Sequence, residues 1–295
     1  VALGSIRTWL LAARPKTLVA AVAPVLVGAG LAVHHDAFAP LPALAALLGA
    51  LLIQVGTNLA NDYYDFVRGA DTHERVGPVR VTQAGLLSPN AVRRATTLVL
   101  AAAMLPGAYL VAVGGWPIVW IGLVSIACAV LYTGGPTPLA YHGLGDLFVF
   151  VFFGLVAVAG TYYVQAGTWP ADAWLAGAGV GALSTAVLVV NNLRDIDTDA
   201  EAGKRTLAVR LGRGGSKVEY ILLLALSLAV APTGVLTLGW PVAALSALVT
   251  LPLMAAPARA VFAHAHPREL LPALGDTARV LAVYGIMLAA GLAFG

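Results

Sequence analysis

Apolar residues in this chain come in long runs broken by short polar stretches, and the two-residue alternation of a half-buried strand is absent. A bilayer core asks about 20 consecutive apolar residues of a helix. It excludes irregular backbone and open sheet edges, so the runs predict helices rather than a barrel. Nine spans are expected, at 17–33, 41–60, 95–113, 117–133, 147–165, 173–192, 218–238, 240–258 and 277–294. The fold class is therefore all-α: a polytopic membrane protein, one transmembrane domain over residues 1–295. Gly and Ala inside the runs, as in GAGVGALSTA, suit close helix approach, and Pro24, Pro252 and Pro257 predict kinks. Gln54 and Thr185 are expected to bond between helices.

Charge sets the orientation. With the N-terminus inside, all 17 Lys and Arg fall on the cytoplasmic face or at its helix ends, and the outer face carries only Asp36 and Asp172. The C-terminus is then outside. A different span count would scatter the positive residues over both faces, so the partition supports nine helices and the orientation together. Hydrophobic residues make up 60% of the chain and charged residues 11%, which excludes a water-soluble globule. The net charge of +3 does not argue for nucleic acid. Arg7, Arg14 and Lys16 precede the first run, which is expected to be a span rather than a cleaved signal. The single cysteine, Cys128, lies in an apolar run and forms no disulfide or metal framework. His34 and His35 fall on the outer side and are assigned no chemistry. Nothing in the pattern sets an oligomeric state.

Two cytoplasmic stretches hold eight of the 14 acids: NLANDYYDFVRGADTHERVGPVRVTQAG at 58–85 and NNLRDIDTDAEAGKRT at 191–206. Each begins where a long apolar run ends. If the helix continues, Asn58, Asp62 and Asp65 share a face at i, i+4 and i+7, with Asn61 paired to Asp65 beside them. Asn191, Asp195 and Asp199 repeat the spacing at i, i+4 and i+8, next to Asn192. So many carboxylates at a membrane surface require a cation, because like charges oppose ionisation. Mg²⁺ takes one or two carboxylates plus phosphate oxygens. Two facing rows would each hold an ion with a diphosphate between them, while Arg68, Arg75, Arg80, Lys204 and Arg205 grip the remaining phosphate oxygens. Lys16, at the inner end of the first span, either meets the diphosphate or anchors its helix. A transporter is the alternative class, but its coupling acids sit near the bilayer midplane and these sit at one end.

The first motif resembles the Asn-x-x-x-Asp pattern of the UbiA superfamily of intramembrane aromatic prenyltransferases, and the second its Asp-x-x-x-Asp motif. ARPKT at 13–17, NDYYDFVRGAD and GPVRVTQAG within 61–85, YTGGPTPLAYHGLGD at 132–146 and NNLRDIDTDAEAGKRTLAVRLG at 191–212 are similar to the branch that prenylates 1,4-dihydroxy-2-naphthoate. Position 69 is Gly, so the last acid of the first motif is Asp71. The resemblance implies a nine-helix bundle around a central cavity open to lipid, capped by cytosolic loops, in a bacterial plasma membrane. It implies a polyprenyl diphosphate donor, a magnesium cofactor and demethylmenaquinone as product. Metal ligands are then sought among Asp62, Asp65, Asp71, Asp195 and Asp199, and catalytic residues among Asn61, Asp65, Asp146 and Asp195. Tyr63, Tyr64, Tyr132 and Tyr141 would shield an allylic cation, and Asp146 or His142 would meet the acceptor hydroxyls. Other acceptors, namely 4-hydroxybenzoate, haem or a sugar phosphate, stay open. Both Asp65→Ala and Asp195→Ala are expected to abolish turnover in a folded bundle.

Overall fold

A computed structural model describes residues 5–69 and 76–295, which are helical throughout apart from turns and loops; among the described residues there is no strand. The chain opens with α1 (Ile6–Ala13), whose end is set by Arg14 in the left-handed region and by Pro15, which cannot extend the helix behind it. After one tight turn the chain bends by 50° into α2 (Val19–His34). Pro at the first position costs no hydrogen bond, and α3 (Pro40–Val67) and α4 (Pro89–Gly114) both use it, the latter with Ser88 Oγ accepting from the Ala91 N–H at 3.2 Å. Then follow α5 (Trp116–Leu131), α6 (Gly145–Val149), a π-helical stretch Phe150–Val156 and α7 (Ala157–Ala166), the last three stacked as one rod. The remaining helices are α8 (Ala171–Arg194), α9 (Ile196–Glu201), α10 (Leu207–Thr237), α11 (Thr250–Ala263) and α12 (Leu270–Phe294).

Seven of these rods are long and apolar enough to cross a bilayer, and eight if α1 and α2 form one bent span. α5, with 16 residues, falls short of the usual length. The sequence-derived boundaries differ most at the helix ends that carry the acidic and basic motifs. α3 runs seven residues past the expected limit of 60, and α10 begins at Leu207 instead of 218. Hydropathy ended α3 early because its last turns are polar, yet the helix continues through them; the polar start of α10 is a short piece that breaks at Gly212, at φ 71° and ψ 177°, before the long apolar helix begins.

The core is built around α8. Val180, Leu183, Ala186, Val190 and Leu193 are fully enclosed by α2, α7, α10 and α12. Small residues let the backbones meet: a methyl group on Gly154 would lie 2.4 Å from Gly181 Cα, so neither position tolerates a side chain. Leu98, Leu105, Trp120 and Leu236 point outward into the region lipid would occupy. At the C-terminal end of α2, His35 has a structural part that the sequence did not assign. Its ring nitrogens lie 2.7 Å from Tyr162 Oη and 3.0 Å from Asp172, tying α2 to α7 and α8.

A cavity of about 520 Å³ lies between α2, α3, α4, α5 and the α6 to α7 rod. Its walls are Ala, Val, Ile, Leu and Phe, and its polar end is formed by Gln54, Asn58, Asn61 and Tyr132. Phe152, Phe153 and Val156 of the π-helical stretch contribute to the wall. Such stretches interrupt the regular ladder and occur often at functional sites.

Candidate active site

The C-terminal half of α3 forms the polar end of this cavity through Gln54, Asn58 and Asn61, and its Asp65 lies within electrostatic reach of Asp199 on α9. Because α3 stays helical to Val67, Asn61 and Asp65 stand one turn apart on one stripe, and Asn58 and Asp62 form the neighbouring stripe. The first stripe meets the loop after α5 and the turn at 80–85. Thr133 Oγ1 donates to Asn61 Oδ1 at 2.9 Å, and Arg80 Nη2 donates to Asp65 Oδ2 at 3.0 Å. The other oxygen of Asp65 is buried with no hydrogen-bond partner. The second stripe is bound to structure. Asn58 Nδ2 donates to Ala13 O at 2.9 Å and Thr17 Oγ1 at 2.8 Å, and Asp62 accepts backbone N–H bonds from Val81 and Thr82 at 3.1 and 2.9 Å.

Opposite α3, Asp195 occupies the break between α8 and α9. It accepts two bonds from the neighbouring Arg194, 2.7 Å to Nε and 2.5 Å to Nη2. The same Nη2 donates to Asn191 Oδ1 at 2.9 Å. One turn on, Asp199 pairs with Lys204 Nζ at 3.5 Å. Gly203, at φ 71°, supplies the left-handed step that folds Lys204 back over α9. Asn192 is buried beside this row.

The two rows sense each other. Burial pushes the Asp199 carboxyl up to about 6; Lys204 opposes this, while Asp195 and Asp65 add to it. Burial alone would lower the Lys204 ammonium, but the charges of Asp65 and Asp199 more than reverse this and hold it above its ordinary value. Lys204 therefore pairs with Asp199 within the field of Asp65. Its ammonium and the Arg68 guanidinium lie over the Tyr141 ring, 5.7 and 5.4 Å from the centroid. The Tyr141 phenol is pushed up to about 12, by burial first and then by Asp65, against Lys204 and Arg68.

Other expected residues are placed differently. Arg68 donates to Gly135 O, which holds the loop after α5. Tyr64 packs against Gly134 of that loop. Asp146 is buried at the start of α6 with Oδ2 unpartnered, facing the Tyr132 side of the cavity end, and His142 is exposed. Lys16 and Arg205 are exposed at the rim. Asp71 and Arg75 lie outside the described residues. Sequence reasoning passed over Arg194, Arg14 and Thr133. A cation inside the last turn of an apolar helix, next to an aspartate, was the signal for Arg194.

Among the described residues no group of three or more His, Cys, Asp or Glu converges as a ready-made metal centre. The free, buried oxygen of Asp65, opposite the carboxylates of Asp195 and Asp199, is still a hard-oxygen donor set that fits Mg²⁺ completed by phosphate oxygens.

Residues 21–292 match the UbiA prenyltransferase family. The chain belongs to that family. It is 42% identical over 99% of both chains to a Mycobacterium tuberculosis protein named 1,4-dihydroxy-2-naphthoate octaprenyltransferase, and 38% identical to the Escherichia coli protein of that name, over 97% of this chain and 95% of that one. The UbiA fold is also shared with an apo homolog from Aeropyrum pernix K1, TM-score 0.69, 17% identity, covering 91% of this chain and 96% of that one. A homolog from Archaeoglobus fulgidus bound to DMAPP and Mg²⁺ aligns with TM-score 0.62 and 18% identity over 96% and 99% of the two chains.

Proposed function

We propose that this UbiA prenyltransferase transfers a polyprenyl group from polyprenyl diphosphate to 1,4-dihydroxy-2-naphthoate, releasing diphosphate and carbon dioxide. One observation carries the reading: an otherwise apolar cavity ends at Asn58, Asn61 and Tyr132, and Asp65, one turn beyond Asn61 on α3, pairs with Arg80 within electrostatic reach of Asp199 and Lys204. An isoprenoid tail fits the apolar walls, and only its diphosphate needs the polar end. The near full-length relatives named for this reaction supply the acceptor. Nine spans, counting α1 with α2 and including α5, place the site loops and N-terminus in the cytoplasm and the C-terminus outside, in a bacterial plasma membrane.

In this mechanism Asp65, Asp195 and Asp199 are the metal ligands, and bound Mg²⁺ supplies positive charge to the leaving diphosphate. Arg80 and Lys204 donate to its remaining oxygens as the allylic carbon–oxygen bond breaks and the electron pair leaves with diphosphate. Asn61 and Asn191 orient the two rows. Tyr132 turns an aromatic face toward the developing cation, Tyr141 holds the Arg68 and Lys204 cations over its ring, and the apolar walls keep water away. The acceptor ring then bonds to the allylic carbon, and its carboxylate departs as carbon dioxide, returning the bonding electrons to the ring. Asp146 accepts a hydrogen bond from an acceptor hydroxyl through its free oxygen. Since no oxidant enters the balance, the product is the hydroquinone form of demethylmenaquinone.

Purified protein incubated with Mg²⁺ and labelled polyprenyl diphosphate should release diphosphate and yield prenylated product with the naphthoate, one carbon dioxide per turnover. Product with 4-hydroxybenzoate alone would overturn the acceptor, and no diphosphate release with any acceptor would favour transport. Arg80→Ala should raise the donor KM by about tenfold or more, the weight of a charge-assisted hydrogen bond. Unchanged donor saturation would remove Arg80 from the diphosphate site.

A further inference from the structure

The acidic motif of α3 contains two aspartates three residues apart, and their surroundings differ in kind. Asp62 is 1% exposed, and its two oxygens are taken up by consecutive backbone N–H groups, Val81 to Oδ2 at 3.1 Å and Thr82 to Oδ1 at 2.9 Å. These are the first N–H groups of a helical turn: Ala84 N–H bonds to Arg80 O at 2.9 Å and Gly85 N–H to Thr82 O at 3.0 Å. Such groups have no partner inside their own turn, and an anion placed there satisfies them and meets the positive end of the turn dipole. Asp62 thus caps the turn from a different helix. Arg14 Nη2 stands 3.7 Å from Asp62 Oδ2. Val81 packs with Ala12, Leu59, Leu87 and Val92 in a small core of its own, so the turn is fixed by apolar contact on one side and by Asp62 on the other.

The residue immediately before Val81 is Arg80, whose guanidinium reaches Asp65. With one buried N–H donor on each oxygen and Arg14 3.7 Å away, the Asp62 charge is compensated without a metal ion, and drawing it toward one would weaken the contacts that fix the turn carrying Arg80.

We propose that Asp62 is a positioning residue: it ligates neither metal nor diphosphate, but holds the turn at 80–85 so that Arg80 stands over Asp65. The acids of the motif then divide by helix face. Asn58 and Asp62 bind α1, its connection to α2 and the turn, leaving Asn61 and Asp65 for the chemistry.

The catalytic half of this inference rests on the reading of Arg80 as a diphosphate contact; the structural half does not. Two variants attack the latch from opposite sides. Asp62→Asn removes one acceptor, and Thr82→Pro removes one donor without touching any acid. In ligand-free protein both should speed trypsin cleavage after Arg80 relative to wild type. Both should raise the donor KM by roughly tenfold, with kcat reduced less than KM is raised and the Mg²⁺ half-saturation unchanged. Adding Arg80→Ala to either should raise donor KM no further than Arg80→Ala alone. A merely structural role would lower the active fraction, and so kcat, at constant KM. The proposal is overturned if Asp62→Asn raises the Mg²⁺ half-saturation while Thr82→Pro is silent, or if neither variant changes cleavage. Faster cleavage with an unchanged donor KM in Arg80→Ala itself would sink the diphosphate reading and leave the latch standing.

Discussion

Asp65→Ala is expected to lower prenyl transfer by about 10²–10³-fold or more, the range seen when one preorganised group facing transition-state charge is removed. The helices should remain. The Asp65 side chain stands in the cavity-facing stripe of α3, with Oδ2 on Arg80 and Oδ1 buried and open. Loss of the carboxylate removes one proposed ligand and one contact of Arg80 at once, but no backbone group depends on it. Asp65→Asn should do nearly as much damage although it preserves shape, because charge is the property at stake. Circular dichroism and detergent gel filtration should match wild type while labelled product disappears. Near-normal, magnesium-dependent turnover in either variant would exclude Asp65 from the chemistry.

Asp195→Ala is expected to fail twice. Arg194 is fully enclosed, and its bidentate pair with Asp195 is joined by a single further bond to Asn191. Taking away the carboxylate leaves a buried cation with little compensation, which costs about 3–5 kcal/mol when one partner of a buried pair is removed. The variant should therefore melt earlier and accumulate less, as well as lose turnover. This adds a loss of stability to the expectation drawn from sequence, that Asp195→Ala would abolish turnover in a folded bundle. A second change separates the effects: Arg194→Leu with Asp195→Ala removes the stranded charge, and should recover much of the thermal stability with none of the activity. If the single variant melts like wild type, Arg194 does not depend on Asp195; if the double variant regains turnover, Asp195 is not in the site.

The contrast between these aspartates shows how far the motif could be read beforehand. The helical spacing placed Asn58, Asp62 and Asp65 on one broad face, and α3 does continue through them. Spacing is blind to what lies opposite each position. The residues opposite are Ala13 and Thr17 for Asn58, Val81 and Thr82 for Asp62, and Arg80 for Asp65, all from other segments. Tyr141 is similar. From the sequence it was one of four tyrosines expected to shield an allylic cation, and only the folded chain lays Arg68 and Lys204 over its ring.

Read alone, the sequence determined that the protein is helical and membrane-embedded, that its acids and bases gather at one end, and which family its motifs resemble. These follow from composition and from periodicity within single segments, which the bilayer and the α-helix impose on any chain. Tertiary structure decided which carboxylates are free and which are spent on the backbone, that Lys204 pairs with Asp199 within the field of Asp65, and that a buried Arg194 pairs with Asp195. Those properties depend on partners brought from distant segments and on burial, which sets the strength of every charge interaction. Neither can be written into one stretch of chain.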